Sequence, residues 1–182
     1  FNQDLSNWNT GAVTNMRSMF SSATNFNGDI SAWDVSSVES MRTMFAGATT
    51  FNQDLNNWVT SSLTSMGSMF EGASAFNGAM GNWDMSKVTD MNAIFVTAVN
   101  FNQGISGWNT SDLNNAAYMV EGAAAFNQDI SGWDMSKVSS MNGMFKSATS
   151  FNQNLGDWDI SAVTDMTNML SNSGLSDANY DL

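Results

Sequence analysis

The chain has no cysteine and no histidine, and only 5 of its 182 residues are lysine or arginine. Without cysteine there is no disulfide, no thiol nucleophile and no thiolate-held zinc. Without histidine the usual general base and the usual transition-metal ligand are missing, so carboxylates, hydroxyls and a few lysines are left for any chemistry. The scarcity of positive charge sets 17 acidic residues against those 5, for a net charge of −12. Phosphate binding needs clustered Lys and Arg, which argues against nucleic acid as a partner. An anionic membrane surface is disfavoured on the same ground. The sequence contains no apolar run long enough to span a bilayer, so direct membrane insertion is not expected.

What is present is one 25-residue pattern written seven times. Phe-Asn opens each copy, at Phe1, Phe26, Phe51, Phe76, Phe101, Phe126 and Phe151, and a Trp follows seven residues later every time. A fixed period of this length signals stacked structural units. The copies are read as one domain over 1–175, divided 1–25, 26–50, 51–75, 76–100, 101–125, 126–150 and 151–175, with a tail at 176–182. The pattern is already running at Phe1, as in a piece of something longer.

Within a copy, positions 16, 19, 20 and 23 carry Met, Met, Phe and Ala in most copies. That i, i+3, i+4, i+7 stripe predicts a short helix. Thr14, Thr64, Thr89 and their counterparts would cap it, with Ser36 and Glu39 at capping-box spacing. Leu5, Trp8 and position 10 follow an L-x-x-L-x-L-like spacing, which predicts an extended strand. The expected fold is therefore an α/β solenoid, leucine-rich-repeat-like, of seven coils each with a short strand and a short helix.

FNQDLSNWNTGAVTNMRSMF at 1–20 and FNQDISGWDMSKVSSMNGMF at 126–145 closely resemble the bacterial surface repeats known as DUF285, or BspA-like repeats. The resemblance covers essentially the whole chain, and the closing GLSDANYDL resembles the end of such arrays. It implies an alliance with leucine-rich repeats, a cell-surface or secreted location and a part in adhesion. It offers no catalytic residues to carry over.

Several recurrent residues are candidates for function. Trp8, Trp33, Trp58, Trp83, Trp108, Trp133 and Trp158 fall at inward spacing and read as a core ladder, the alternative being an exposed sugar platform. Buried, each indole N–H needs an acceptor, for which neighbouring Asn side chains are candidates. Asn2, Asn27, Asn52, Asn77, Asn102, Asn127 and Asn152 read as an inward structural ladder holding backbone groups of the next coil. Asn9, Asp34, Asp84, Asn109, Asp134 and Asp159 recur in register on the expected strand face, where a partner would bind. Asp4, Asp29 and Asp54 fall in three successive copies, and stacked carboxylates repel unless water, a donor or a cation lies between them. Calcium is the natural cation for such an oxygen-only row, and the plainer reading is carboxylates holding backbone N–H groups.

The acids repeat along a regular surface instead of gathering in one cleft with a base, so an enzyme is not expected. The expected function is a non-catalytic binding or adhesion module that contacts a host or neighbouring-cell surface protein or glycan and requires no cofactor. A passive stalk is the main alternative, and a calcium-stabilised or ice- or mineral-facing surface a minor one. Self-association is also open, because neither end carries an obvious polar cap.

Overall fold

The computed structural model describes residues 1–176 and 179. Of the tail at 176–182, and of the GLSDANYDL ending, the remaining residues lie outside that description.

Among the described residues there is no α-helix and no extended strand. The expected α/β solenoid, with a strand and a helix in each coil, is not what the chain forms. Each copy is a series of turns, and its one sheet-like feature is a single parallel bridge at position 15, running Asn15 to Ser40, Ser40 to Ser65 and onward to Asp165.

Positions 18 and 22 explain why no helix forms. Both are left-handed in all seven copies, from Ser18, Thr43, Ser68, Ala93, Tyr118, Gly143 and Asn168 at the first to Ser22, Gly47, Gly72, Thr97, Gly122, Ser147 and Asn172 at the second. Their φ values run from 53° to 71°. A right-handed helix cannot pass through such residues. The chain turns instead: the N–H of Met19 donates to the Met16 carbonyl and that of Ala23 to the Phe20 carbonyl, with Ser18 and Ser22 third in each turn. A left-handed third residue is the type II arrangement. The helix-like stripe is thus produced by consecutive turns that each return the chain to the interior. The supposed caps cap nothing. Position 14 bridges neighbouring copies through its backbone, as where Glu39 N–H donates to the Thr14 carbonyl at 2.8 Å.

The expected strand is likewise a pair of turns, closed by Trp8 N–H on the Leu5 carbonyl at 3.0 Å and Val13 N–H on the Thr10 carbonyl at 2.8 Å. The peptide groups that the turns leave over bond between copies. The N–H groups of Met16, Ser18, Phe20 and Ser22 donate to the carbonyls of Ser40, Arg42, Met44 and Ala46 in the next copy, at 2.6–3.0 Å. The same four bonds recur at each junction, except between the third and fourth copies, where three form. The result is a stack of near-identical layers.

Each inner layer buries positions 1, 5, 8, 10, 13, 16, 19, 20 and 23. Phe1, Phe26, Phe51, Phe76, Phe101, Phe126 and Phe151 stack with ring centroids 5.8–6.1 Å apart. A second file of phenyls lies against it, with Phe45 4.0 Å from Phe51 and Phe70 3.9 Å from Phe76. Offset aromatic stacking adds about 0.5–1.5 kcal/mol per pair beyond burial. Position 10 alternates. Thr10, Thr60 and Thr110 are buried with their hydroxyls donating to the carbonyls of Asp34, Asp84 and Asp134 at 2.9, 3.1 and 3.0 Å. Val35, Met85 and Met135 fill the same place in the layers between. Among the described residues no buried side-chain nitrogen or oxygen lacks a partner.

The left-handed positions yield a test. Thr97 is β-branched and exposed at φ 53°, where Gly47, Gly72 and Gly122 occupy the equivalent place in other layers. Relieving left-handed strain outweighs the extra chain entropy of glycine, so Thr97→Gly is expected to stabilise by about 0.5–1 kcal/mol. Urea midpoints at unchanged slope provide the check, and a lower midpoint contradicts this account of the turn.

Candidate interaction surface

The side of the stack is made of short polar corners. Asp34 Oδ1 accepts the Ser36 N–H at 3.0 Å and the Ser36 hydroxyl at 2.7 Å, and Asp134 does the same with Ser136 at 3.0 and 2.6 Å. Asn9, Asp84, Asn109 and Asp159 hold the N–H two residues on in the same way. These six side chains form one exposed file, broken in the third layer by exposed Val59. They belong to turns and not to a strand face, because position 9 leads directly into the turn at positions 10–13.

Asp4, Asp29 and Asp54 make a second file of the same kind. Each accepts the N–H two residues on, from Ser6, Ser31 and Asn56, at 2.8–2.9 Å. Among the described residues no three acidic side chains gather so as to hold a metal ion. A third file escaped sequence reasoning. Asn15, Asp90, Asn115 and Asp165 at position 15 hold the N–H two residues on, at 3.0–3.1 Å. The signal was available as Asn, Asp or Ser in every copy at that position. Asp90 also pairs at 2.7 Å with Arg42, which reaches across the layer of Gly67.

The Asn files point outward. Asn27 N–H donates to Asn2 Oδ1 at 2.9 Å, and the link repeats through Asn52, Asn77, Asn102, Asn127 and Asn152, all exposed. The indoles from Trp33 to Trp158 are buried, and each Nε1 donates to the position-5 carbonyl of the preceding layer, as Trp33 does to Leu5 at 3.0 Å. Their acceptors are backbone carbonyls, not the Asn side chains. A free carbonyl lone pair is present wherever a layer precedes. Trp8, in the first layer of the sequence, is 53% exposed.

These local bonds set the acid chemistry. The N–H of Ser6, Ser31 and Ser131 holds Asp4, Asp29 and Asp129 below the ordinary aspartate range. For Asp34, Asp84, Asp134 and Asp159 the serine hydroxyl two residues on contributes most, then its N–H. A carboxyl depressed below its unfolded value of about 3.9 adds stability above that pH, and the contribution disappears as pH falls through the folded value. Asn9 and Asn109 make the same N–H bond without titrating, so replacing Asp34, Asp84, Asp134 and Asp159 together by Asn keeps the corners. The melting temperature of the wild type relative to that variant is expected to fall as pH drops from about 5 to 3 and to be flat above 5. A difference that is constant with pH contradicts the corner bonds.

The hollows described lie at the two ends and at the first corner. Phe1, Leu5, Trp8, Met19, Phe20 and Ala23 line the first end, and Leu155, Trp158, Ile160, Met166, Met169, Leu170 and Leu175 are among those lining the other. A shallow polar hollow lies between Asn2, Asp4, Asn27 and Asp29. No described helix is long and apolar enough to cross a membrane.

Layers of one design with polar corners in files repeat the same small surface at successive steps of the stack. The chain belongs to the family described as Mycoplasma protein of unknown function, DUF285, whose model matches residues 1–83 and 76–181. No match was found among curated proteins and none among solved structures.

Proposed function

We propose that this chain is a non-catalytic binding module, carried on a bacterial cell surface or secreted, that contacts a protein or glycan on a host or neighbouring cell. The contact runs along the file of Asn9, Asp34, Asp84, Asn109, Asp134 and Asp159. One observation carries the reading: the same exposed, hydrogen-bonded corner recurs at six of seven layers, in a stack whose successive layers are joined by backbone hydrogen bonds. Corners fixed in advance lose little entropy on binding, and repeated weak contacts add through avidity. The resemblance to BspA-like surface repeats points the same way.

The test is a screen of the purified chain against glycans and extracellular-matrix proteins, with calcium and again with chelator. The expected result is a hit that weakens at least tenfold when Asp34, Asp84, Asp134 and Asp159 are all changed to Lys, with the melting temperature lowered by the lost corner bonds but a cooperative transition retained. A blank under both conditions, or a hit indifferent to that variant, overturns the reading and favours a passive spacer.

A further inference from the structure

The six junctions between layers are not equally joined. All six carry the phenyl stack of position 1, the indole bond to a position-5 carbonyl and the Asn link at position 2. Side chains add five further kinds of link, and each kind skips some junctions. The hydroxyls of Thr10, Thr60 and Thr110 bond across the first, third and fifth. The indoles stack in pairs across the same three, Trp8 on Trp33, Trp58 on Trp83 and Trp108 on Trp133. The position-20 phenyls stack from Phe20 through Phe45 and Phe70 to Phe95, and the file stops at Val120. Gln53, Gln128 and Gln153 each hold the backbone and side-chain oxygens of the Asn one layer back, Asn27, Asn102 and Asn127. Ion pairs at 2.7 Å join Arg42 to Asp90, Lys137 to Asp112 and Lys146 to Glu121.

Among the described residues, none of the five kinds crosses the fourth junction, between 76–100 and 101–125, and at least one crosses every other. Met85 stands where a Thr hydroxyl would donate forward, and Val120 where a phenyl would stack. Position 21 places Val96 between Glu71 and Glu121. The backbone ladder is complete there, with four bonds from Met91, Ala93, Phe95 and Thr97, so the difference lies in the side chains. Two amide bonds are added, from Asn92 Nδ2 to the Ala117 carbonyl and from Asn115 Nδ2 to Asp90 Oδ1, both at 3.1 Å. The third junction is one ladder bond short, yet Thr60, the Trp58–Trp83 and Phe70–Phe95 stacks and the Arg42 pair all cross it.

We infer that the stack opens first at the fourth junction, parting into layers one to four and layers five to seven while each part keeps its own layers together. Where each layer touches mainly its neighbours, opening begins at the junction with the fewest links. The opening divides the corner file three to a side, Asn9, Asp34 and Asp84 from Asn109, Asp134 and Asp159. On the reading of that file as a binding surface, a partner that contacts both sets holds the junction closed. The opening itself does not rest on that reading.

Amide hydrogen exchange of the full chain, resolved residue by residue, tests the inference. The N–H groups of Met91, Ala93, Phe95 and Thr97 are expected to be at least tenfold less protected than those of Met41, Thr43, Phe45 and Gly47 on one side and of Ala116, Tyr118, Val120 and Gly122 on the other. Fraying inward from the outer layers gives the opposite profile, with protection highest in the middle. Val96→Lys supplies a charged link, because an ammonium at position 21 already reaches the carboxylate one layer away where Lys146 meets Glu121. It is expected to raise protection of the four amides at least threefold and to leave the second junction unchanged. A profile without a minimum at the fourth junction, or four amides indifferent to Val96→Lys, overturns the proposal. Both measurements are made without a partner, so the outcome is independent of what the corner file binds.

Discussion

Phe76→Ala is expected to destabilise the chain by about 3–5 kcal/mol. The ring is fully buried, 5.9 Å from Phe51 on one side and from Phe101 on the other, and 3.9 Å from Phe70. Truncation removes the transfer energy of a phenyl and three stacking contacts at once. The hole cannot readily collapse, because ladders of three bonds on one side and four on the other hold the layers at fixed spacing. Phe1→Ala is the internal control: that ring is 61% exposed with one stacked neighbour, and its loss is expected to cost under about 1 kcal/mol. Because each layer touches mainly its neighbours, a weak central layer also divides the stack, and urea unfolding is expected to broaden or split into two steps. A cost below about 1 kcal/mol for Phe76→Ala would sink the idea that the phenyl file holds the layers together.

Gly78→Ala is expected to cost about 3 kcal/mol, at the upper end for overpacking. A Cβ there would lie 1.9 Å from the Gln53 carbonyl oxygen and 3.1 Å from the Phe76 ring. The obstruction is backbone, so no rotamer change relieves it, and the third and fourth layers must part. That junction already carries three ladder bonds instead of four. Gly28, at the equivalent place, would meet its nearest atoms at 3.1 and 3.2 Å, so Gly28→Ala is expected to cost about 1 kcal/mol. Gly132 meets nothing within 4 Å, and Gly132→Ala is expected to be near neutral. Urea midpoints for the three variants should rank in that order, and equal costs would contradict the close approach at Gly78. The glycine at position 78 serves proximity and not a positive φ, in contrast with Gly47, Gly72, Gly122 and Gly143.

The period and the core were legible in the sequence because burial recurs at fixed positions. Phe, Leu or Ile, Trp, Val, Met and Ala at the same places in successive copies can only be inward-facing when copies stack. The backbone conformation was not legible, because successive three-residue turns place Met16, Met19, Phe20 and Ala23 at the spacing of a helix stripe. The distinguishing signal lay between them. Position 22 carries Gly47, Gly72 and Gly122 with Ser, Thr and Asn elsewhere, and position 18 carries Gly143 with Ser18, Thr43, Ser68 and Asn168 beside Ala93 and Tyr118. Apart from Ala93, the strong helix formers that a helix would favour are missing from both positions. The polar files were legible as rows, but their partners were not. Asp34 bonds Ser36 two residues away, and local bonds of this type need a turn that the period alone does not reveal. The indole acceptors were missed for a related reason: a backbone carbonyl leaves no mark in side-chain identity.

The bonds that join layers link residues about 25 apart at every junction, from Met16 and Ser40 to Ser147 and Ser171. The loop that must close to add the seventh layer is therefore no longer than the loop that closed to add the second, and its entropic cost is the same. Relative contact order falls as layers accumulate, which is the opposite of what happens when a sheet grows by pairing distant strands. Only the first two layers carry the cost of a nucleus, and each later one docks on a template already formed. A chain built in this way can be lengthened by duplication without its folding search becoming harder, and seven nearly identical copies are what such growth leaves in a sequence.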